Sequence, residues 1–296
     1  MRPSLRYAAH EALVFNARTH PQLWRLIAGL VVVVIVGYLL SSAMYSVLLG
    51  TFSGDWVAGL QDGSNPAAML ALLGGFGFIT VGVAVAARLL QYRSLTSIIG
   101  VPRLLVSQFG RVSLFLLALF VVLMLLPPYQ MDAPMVSNLP ALTWLALLPL
   151  SLLALLIQTS AEEILFRGYI QQALAARFSH PIIWLVLPSA LFALGHYLPA
   201  EAGENAVIIA VWAGLFGFLM ADLTARSGTL GPAIAVHLFN NLTALVLFAS
   251  PTSLNGLALY ILPYEMSDVQ ALRPWMVVDF ALMLIGWLVA RLAIRR

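Results

Sequence analysis

Eight stretches of mostly apolar residues, at about 23–49, 66–90, 111–126, 142–158, 182–198, 206–223, 229–249 and 275–290, dominate the sequence. A helix needs roughly 20 such residues to cross the hydrocarbon core of a bilayer. In that medium every backbone amide and carbonyl must be paired internally, so only helices or a closed barrel can span it. The apolar/polar alternation that barrel strands require is absent. The expected fold is an all-α integral membrane protein of about eight transmembrane helices, a single polytopic domain over residues 1–296. Composition agrees, with 61% hydrophobic and 9% charged residues, against about 25% charged in soluble domains.

The charges orient this bundle. All 15 basic residues are arginine, and cysteine is absent, which excludes disulfides, thiolate metal sites and cysteine nucleophiles. Arg2, Arg6, Arg18 and Arg25 precede the first stretch, and Arg88, Arg93, Arg103 and Arg111 surround the second connection. Arg167 and Arg177 follow the fourth, Arg226 follows the sixth, and Arg291, Arg295 and Arg296 end the chain. Only Arg273 falls on the other side, with Asp55, Asp62, Asp132, Glu201, Glu204, Glu265 and Asp268. This bias puts both termini in the cytoplasm. The first 25 residues do not form a signal peptide, because the apolar run behind them is too long. A bacterial inner membrane is the expected location. The arginines are dispersed, so no nucleic-acid partner is expected.

The connection 90–111 is expected as a short amphipathic piece on the cytoplasmic surface, and 127–140 as an external loop. No internal repeat is visible, which lowers a small-molecule transporter among the alternatives. Ala210, Gly214, Gly217 and Ala221 line one face of the sixth stretch and read as a close helix–helix contact.

Within the apolar tracts stand a few ionisable and strongly polar side chains. Such groups are costly in hydrocarbon and mark function by default. Glu163 and Arg167 are four residues apart with the acid first, the favourable order for an ion pair on a helix. Glu162 points about 100° away and needs another partner; in a partly desolvated cavity it is a candidate general base. Interfacial pairing of both acids with Arg167 and Arg177 is the plainer alternative. His196 closes the fifth stretch, where a packing role is the simpler reading. His237 and Asn241, four apart, stack on one face of the seventh, either as an interhelical hydrogen-bond clamp or as part of a site. Asn240 is a rival amide on a shifted face. A carboxylate, two imidazoles and an amide are together what peptide hydrolysis needs: a base for water and donors for an oxyanion. Ser160, Ser189 and Ser227 lie in no nucleophile-elbow context. Two histidines and a glutamate would also serve a divalent metal with an open position, although the HExxH spacing is absent.

The chain resembles the CPBP family, also called Abi or type II CAAX-prenyl endopeptidases, which includes bacteriocin-processing and self-immunity proteins. The family's EExxxR motif matches Glu162, Glu163 and Arg167; FxxxH matches Phe192 and His196; HxxxN matches His237 and Asn241. The matching region is roughly 142–249. The resemblance implies an intramembrane endopeptidase with a cavity open to the cytoplasm. By the same carry-over Glu162 is the general base, and His196, His237 and Asn241 bind the water or the oxyanion. Glu163, Arg167 and Phe192 support the site. The cofactor stays open: the glutamate-type mechanism needs none, whereas a metal-dependent one would hold a divalent ion such as zinc on Glu162, His196 and His237. The implied partners are the bilayer and a membrane-associated peptide or protein substrate, with or without a lipid anchor. A non-catalytic peptide-toxin immunity protein of the same fold is the remaining alternative. For Glu162 to meet His196, either the fourth helix continues past Gln158 or the fifth begins outside the bilayer; with no proline from 151 to 178, the expectation is a fourth helix unbroken through Glu162 toward Arg177.

Overall fold

The computed structural model describes residues 5–126 and 134–295. Arg2, Arg296, Asp132 and residues 127–133 of the expected external loop lie outside the described residues. Every apolar stretch forms a helix: α1 Leu23–Thr51, α2 Pro66–Gln91, α3 Pro102–Met124, α4 Ala141–Arg177, α5 Pro181–Gly195, α6 Pro199–Ser227, α7 Gly231–Leu247 and α8 Val269–Ile294. Among the described residues, six are long and apolar enough to cross a membrane, whereas α5 and α7 are shorter apolar helices. The 15 residues of α5 reach about 22 Å at 1.5 Å per residue, short of a hydrocarbon core of about 30 Å. α7 is cut short where Phe248 turns extended and joins a small sheet.

Local chemistry sets the helix starts. Asn65 caps α2 by accepting from the Ala68 amide at 2.9 Å, with Pro66 in the first turn. Asp268 caps α8 by accepting from the Gln270 and Ala271 amides. Both arrangements satisfy amides that a helix leaves unpaired at its N-terminus. α3 begins at Pro102, nine residues before the expected start. The fixed φ of proline suits a first helical turn, so the connection ahead of it shrinks to the short helix Leu95–Ile99. α4 is continuous over 37 residues, as the site geometry requires. Its stretch Ile164–Ile170 is wound as a π-helix, a local widening that recurs at functional sites.

The outer faces are apolar. On α1, Ile27, Val34, Tyr38 and Val47 are 63–71% exposed, a surface suited to lipid rather than water. Inside, one core packs α1, α2, α4, α5 and α6 through Leu26, Val83, Ile170, Leu185 and Ala225. A second joins α3, α5, α6, α7 and α8 through Val112, Phe192, Phe216, Val236 and Met283. Phe166 of α4 touches both, so the segment carrying the EExxxR motif sits where they meet. Three two-residue strands close one end: β1 Val136–Ser137, β2 Phe248–Ala249 and β3 Tyr260–Ile261. β3 is central, antiparallel to β1 and parallel to β2.

The segment ahead of α1 also packs against the bundle. Tyr7 donates to Asp222 Oδ1 of α6 at 2.8 Å, and Trp184 of α5 meets both Tyr7 and His10. Gly228, which ends α6 at φ +74°, lies so close to the Ala9 carbonyl that a Cβ would sit 2.8 Å from it. Burial, helped by the nearby Arg18 charge, pushes the His10 imidazole down to about 3. His10 is therefore neutral when docked and protonates more readily once undocked, at its ordinary 6.5. Docking of this segment is at full strength above about pH 6.5 and weakens as pH falls toward 3, by up to about 1.4 kcal/mol per pH unit. Hydrogen exchange of residues 5–19 should rise over that window, and His10→Phe should flatten the dependence.

Among the described residues, three arginines counted in the charge bias are buried: Arg93, Arg167 and Arg226. Arg226 pairs with Asp222 at 2.6 Å, and Arg93 donates to Gln172 and to the Leu13 carbonyl. These are internal partners, so the three report on packing rather than on the sidedness of a loop.

Candidate active site

α4 and α7 run antiparallel, and their polar side chains meet in two stacked rungs. On α4, Gln158 and Glu162 are four residues apart; on α7, Asn241 and His237 are four apart. Asn241 Nδ2 donates to Gln158 Oε1 at 2.8 Å. One turn along, His237 Nε2 lies 3.4 Å from Glu162 Oε2. Residues four apart on a helix share a face, which explains why two independent pairs align.

Glu163 anchors the other side of the same imidazole. His237 Nδ1 is 2.8 Å from Glu163 Oε1, and since a carboxylate only accepts, the proton sits on Nδ1. Arg167 Nη1 donates to the same oxygen at 2.9 Å, and Nη2 donates to the Gly217 carbonyl at 3.1 Å. Glu163 and Arg167 are sealed, while Glu162 keeps 14% of its side chain exposed. The adjacent acids are thus divided: Glu163 is committed to an internal ion pair and Glu162 faces accessible space. With Nδ1–H held by Glu163, Nε2 of His237 is a lone pair. It faces the Glu162 carboxylate, a second acceptor, at 3.4 Å. Two acceptors in that position need a shared proton or a bridging donor such as water.

Phe192 of α5 organises the remaining side. It is buried, and its ring meets His196 at 4.4 Å, His237 edge-on at 6.1 Å and Phe166 at 5.2 Å. The Arg167 guanidinium lies 4.9 Å from the same ring. His196 is half-buried, and its Nδ1 is 2.9 Å from the Phe192 carbonyl, which leaves Nε2 as the nitrogen free for chemistry. The structure therefore joins Glu162, Glu163, Arg167 and His237 through polar contacts, places Asn241 one turn along α7 on Gln158, and brings His196 alongside through Phe192. Asn240 bonds to Asn241 rather than replacing it: its Nδ2 donates to Asn241 Oδ1 at 3.0 Å.

A three-ligand zinc site does not fit this arrangement. Among the described residues no three His, Asp or Glu side chains converge in ligand geometry. Glu162 and His237 face each other, whereas the ring of His196 packs on Phe192 rather than against either of them.

The small-residue face of α6 has a direct link to the site. Gly217 lets α6 approach α5 so closely that a Cβ would lie 3.2 Å from Ser189 Cα and 3.3 Å from Arg167 Nη2. Gly217→Val should cost about 1–3 kcal/mol through overpacking, read as a lower Tm in detergent, and should loosen Arg167.

Two features escape a reading of the sequence. Gln158 is buried in the first rung, and its only signal is its position one turn before Glu162. Asp222 accepts from Tyr7, from Arg226 and from the Trp287 indole at 3.1 Å; its signal is the four-residue spacing to Arg226. Asp222 is fully engaged in holding α6, α8 and the N-terminal segment together.

Residues 143–243 match the family model of the type II CAAX prenyl endopeptidase Rce1-like proteins. The similarity to that family covers this central segment, about a third of the chain. The Rce1-like segment contains all three motifs and both rungs, and the family is one of proteases. The uncharacterized protein YyaK of Bacillus subtilis (strain 168) is 29% identical over 153 residues, half of each chain. The chain thus spans about half the length of this curated relative. No solved structure matches.

Proposed function

We propose that the protein is an intramembrane endopeptidase, of the CAAX-prenyl-protease kind, in which Glu162 activates water for attack on a peptide bond. The observation that carries this reading is the pair of facing acceptors, Glu162 Oε2 and His237 Nε2, 3.4 Å apart. A water resting on the open side of this pair and donating to Glu162 Oε2 would keep its oxygen lone pairs for a carbonyl carbon.

In the step that follows, Glu162 takes a proton from the water as its oxygen bonds to the carbonyl carbon. The carbonyl π electrons move to oxygen and an Asn241 amide hydrogen stabilises that oxyanion, while the bare Nε2 of His196 accepts a hydrogen bond from the attacking water. Glu162 then delivers the proton to the amide nitrogen as the C–N bond breaks. Glu163 holds His237 in the required tautomer, a role in which a second carboxylate on the far nitrogen is well suited. Arg167 neutralises Glu163 in turn.

Residues 142–249 form the catalytic core in this reading, both termini lie in the cytoplasm, and the bundle sits in a bacterial inner membrane. A groove of about 400 Å³ between α1 and α2, lined by Val34, Tyr38, Met44, Phe76 and Ile79, reaches Leu165 of α4. Its apolar lining, three residues beyond Glu162, supports a substrate that is itself membrane-bound or lipidated. The test is cleavage of a quenched-fluorescence peptide panel, prenylated and unprenylated, by detergent-purified protein with and without a chelator. Cleavage that survives the chelator supports the glutamate mechanism; cleavage that the chelator stops assigns the water activation to a metal.

A further inference from the structure

We infer that Gln158 is a positioning residue that fixes the orientation of the Asn241 amide, so that nitrogen rather than oxygen is held toward the reacting carbonyl. The inference rests on the peptidase reading for its consequence, but its geometry stands apart from it. An asparagine amide can turn by 180° and exchange a donor for an acceptor. Here both neighbours are paired with one and the same orientation, which reverses only if all three amides turn together. Gln158 Oε1 accepts from Asn241 Nδ2 at 2.8 Å, and Asn240 Nδ2 donates to Asn241 Oδ1 at 3.0 Å. Three amides form a chain with a single direction, Asn240 to Asn241 to Gln158.

Gln158 is the end of that chain which can hold it still. It is buried, at 6% exposure, on the long continuous helix that also carries Glu162 one turn away. Asn240 lies on the same turn as Asn241 and moves with it. Because Gln158 and Glu162 are spaced like Asn241 and His237, a single rigid α4 sets both rungs at once, about 6 Å apart along the helix. One hydrogen of Asn241 Nδ2 goes to Gln158, and the second remains available to an oxyanion that forms above Glu162. Without the Gln158 acceptor, the turned amide would present a carbonyl to that oxyanion.

The test uses the full chain carrying Gln158→Met, which keeps the volume and removes the acceptor, with Asn241→Ala and the double variant. In the peptide assay Gln158→Met should lower kcat about 10- to 100-fold with KM little changed, the scale of loss expected for a misplaced catalytic group. In the Asn241→Ala background the same substitution should have no further effect. With 15N-labelled asparagine, the Asn241 side-chain amide, assigned by its loss in Asn241→Ala, should exchange slowly in the wild type and quickly in Gln158→Met. Equal losses of kcat in both backgrounds, or an exchange rate unmoved by Gln158→Met, would overturn the inference. If the wild type cleaves no peptide, the peptidase reading fails, and the amide exchange still decides whether Gln158 orients Asn241.

Discussion

A Glu162→Gln protein should melt as the wild type does and hydrolyse its substrate roughly 10²–10⁴-fold more slowly, the contribution of a positioned general base. The amide is almost the same size as the carboxylate, and among the described residues Glu162 is paired with His237 and with no arginine, so folding has little to lose. Its loss is chemical: an amide cannot take a proton from water. Glu162→Ala should be equally inactive. A protein that only bound a peptide would tolerate the amide and be weakened by alanine, so equal loss in the two variants, read as kcat alongside Tm, separates catalysis from binding. Glu163 offers the contrast. Glu163→Gln removes the charge that balances Arg167 and lets an amide N–H compete for the place of the oxygen that sets the His237 tautomer, so both stability and rate should fall.

Arg167→Met should be the most destabilising single change at the site. The guanidinium is 1% exposed and joins Glu163 on its own helix to the Gly217 carbonyl on α6. Among the described residues Glu163 Oε2 has no donor, so removing Arg167 leaves the buried carboxylate with His237 as its remaining partner there. Breaking a buried ion pair by deleting one partner costs about 3–5 kcal/mol. A large drop in Tm, followed by tryptophan fluorescence in detergent, is the expected result; a change of only a degree or two would mean that the pair is not buried as described. Arg167→Lys should recover little, because an ammonium lacks the planar fork that reaches Glu163 and Gly217 together.

What the sequence made legible at this site follows from helix geometry. Glu163 with Arg167, and His237 with Asn241, are each one turn apart on a single helix, so their shared face is readable from spacing alone. The unbroken α4 was legible too, since proline is absent between residues 151 and 178. Gln158 was not, because its partner is 83 residues away and an uncharged amide in an apolar tract gives no signal of its own. The division of labour between Glu162 and Glu163 was half visible: spacing marked Glu163 for Arg167, but only the antiparallel α7 gives Glu162 its contact with His237. The Tyr7–Asp222 bond spans 215 residues, and no local pattern announces it. The short α5 and α7 were overestimated because apolar residues continue past Gly195 and Leu247, while the backbone leaves the helix at His196 and Phe248.

The central claim is that this chain splits peptide bonds with a water activated by Glu162. The most direct measurement is mass spectrometry of a prenylated peptide panel after incubation with the protein in liposomes, in H₂¹⁸O, beside Glu162→Gln. The account predicts two fragments from at least one peptide, a single solvent oxygen in the new carboxylate from the cleavage step, and no fragments from the variant. Identical fragments at equal rates from wild type and Glu162→Gln, or no fragments from the wild type with any peptide, would contradict it.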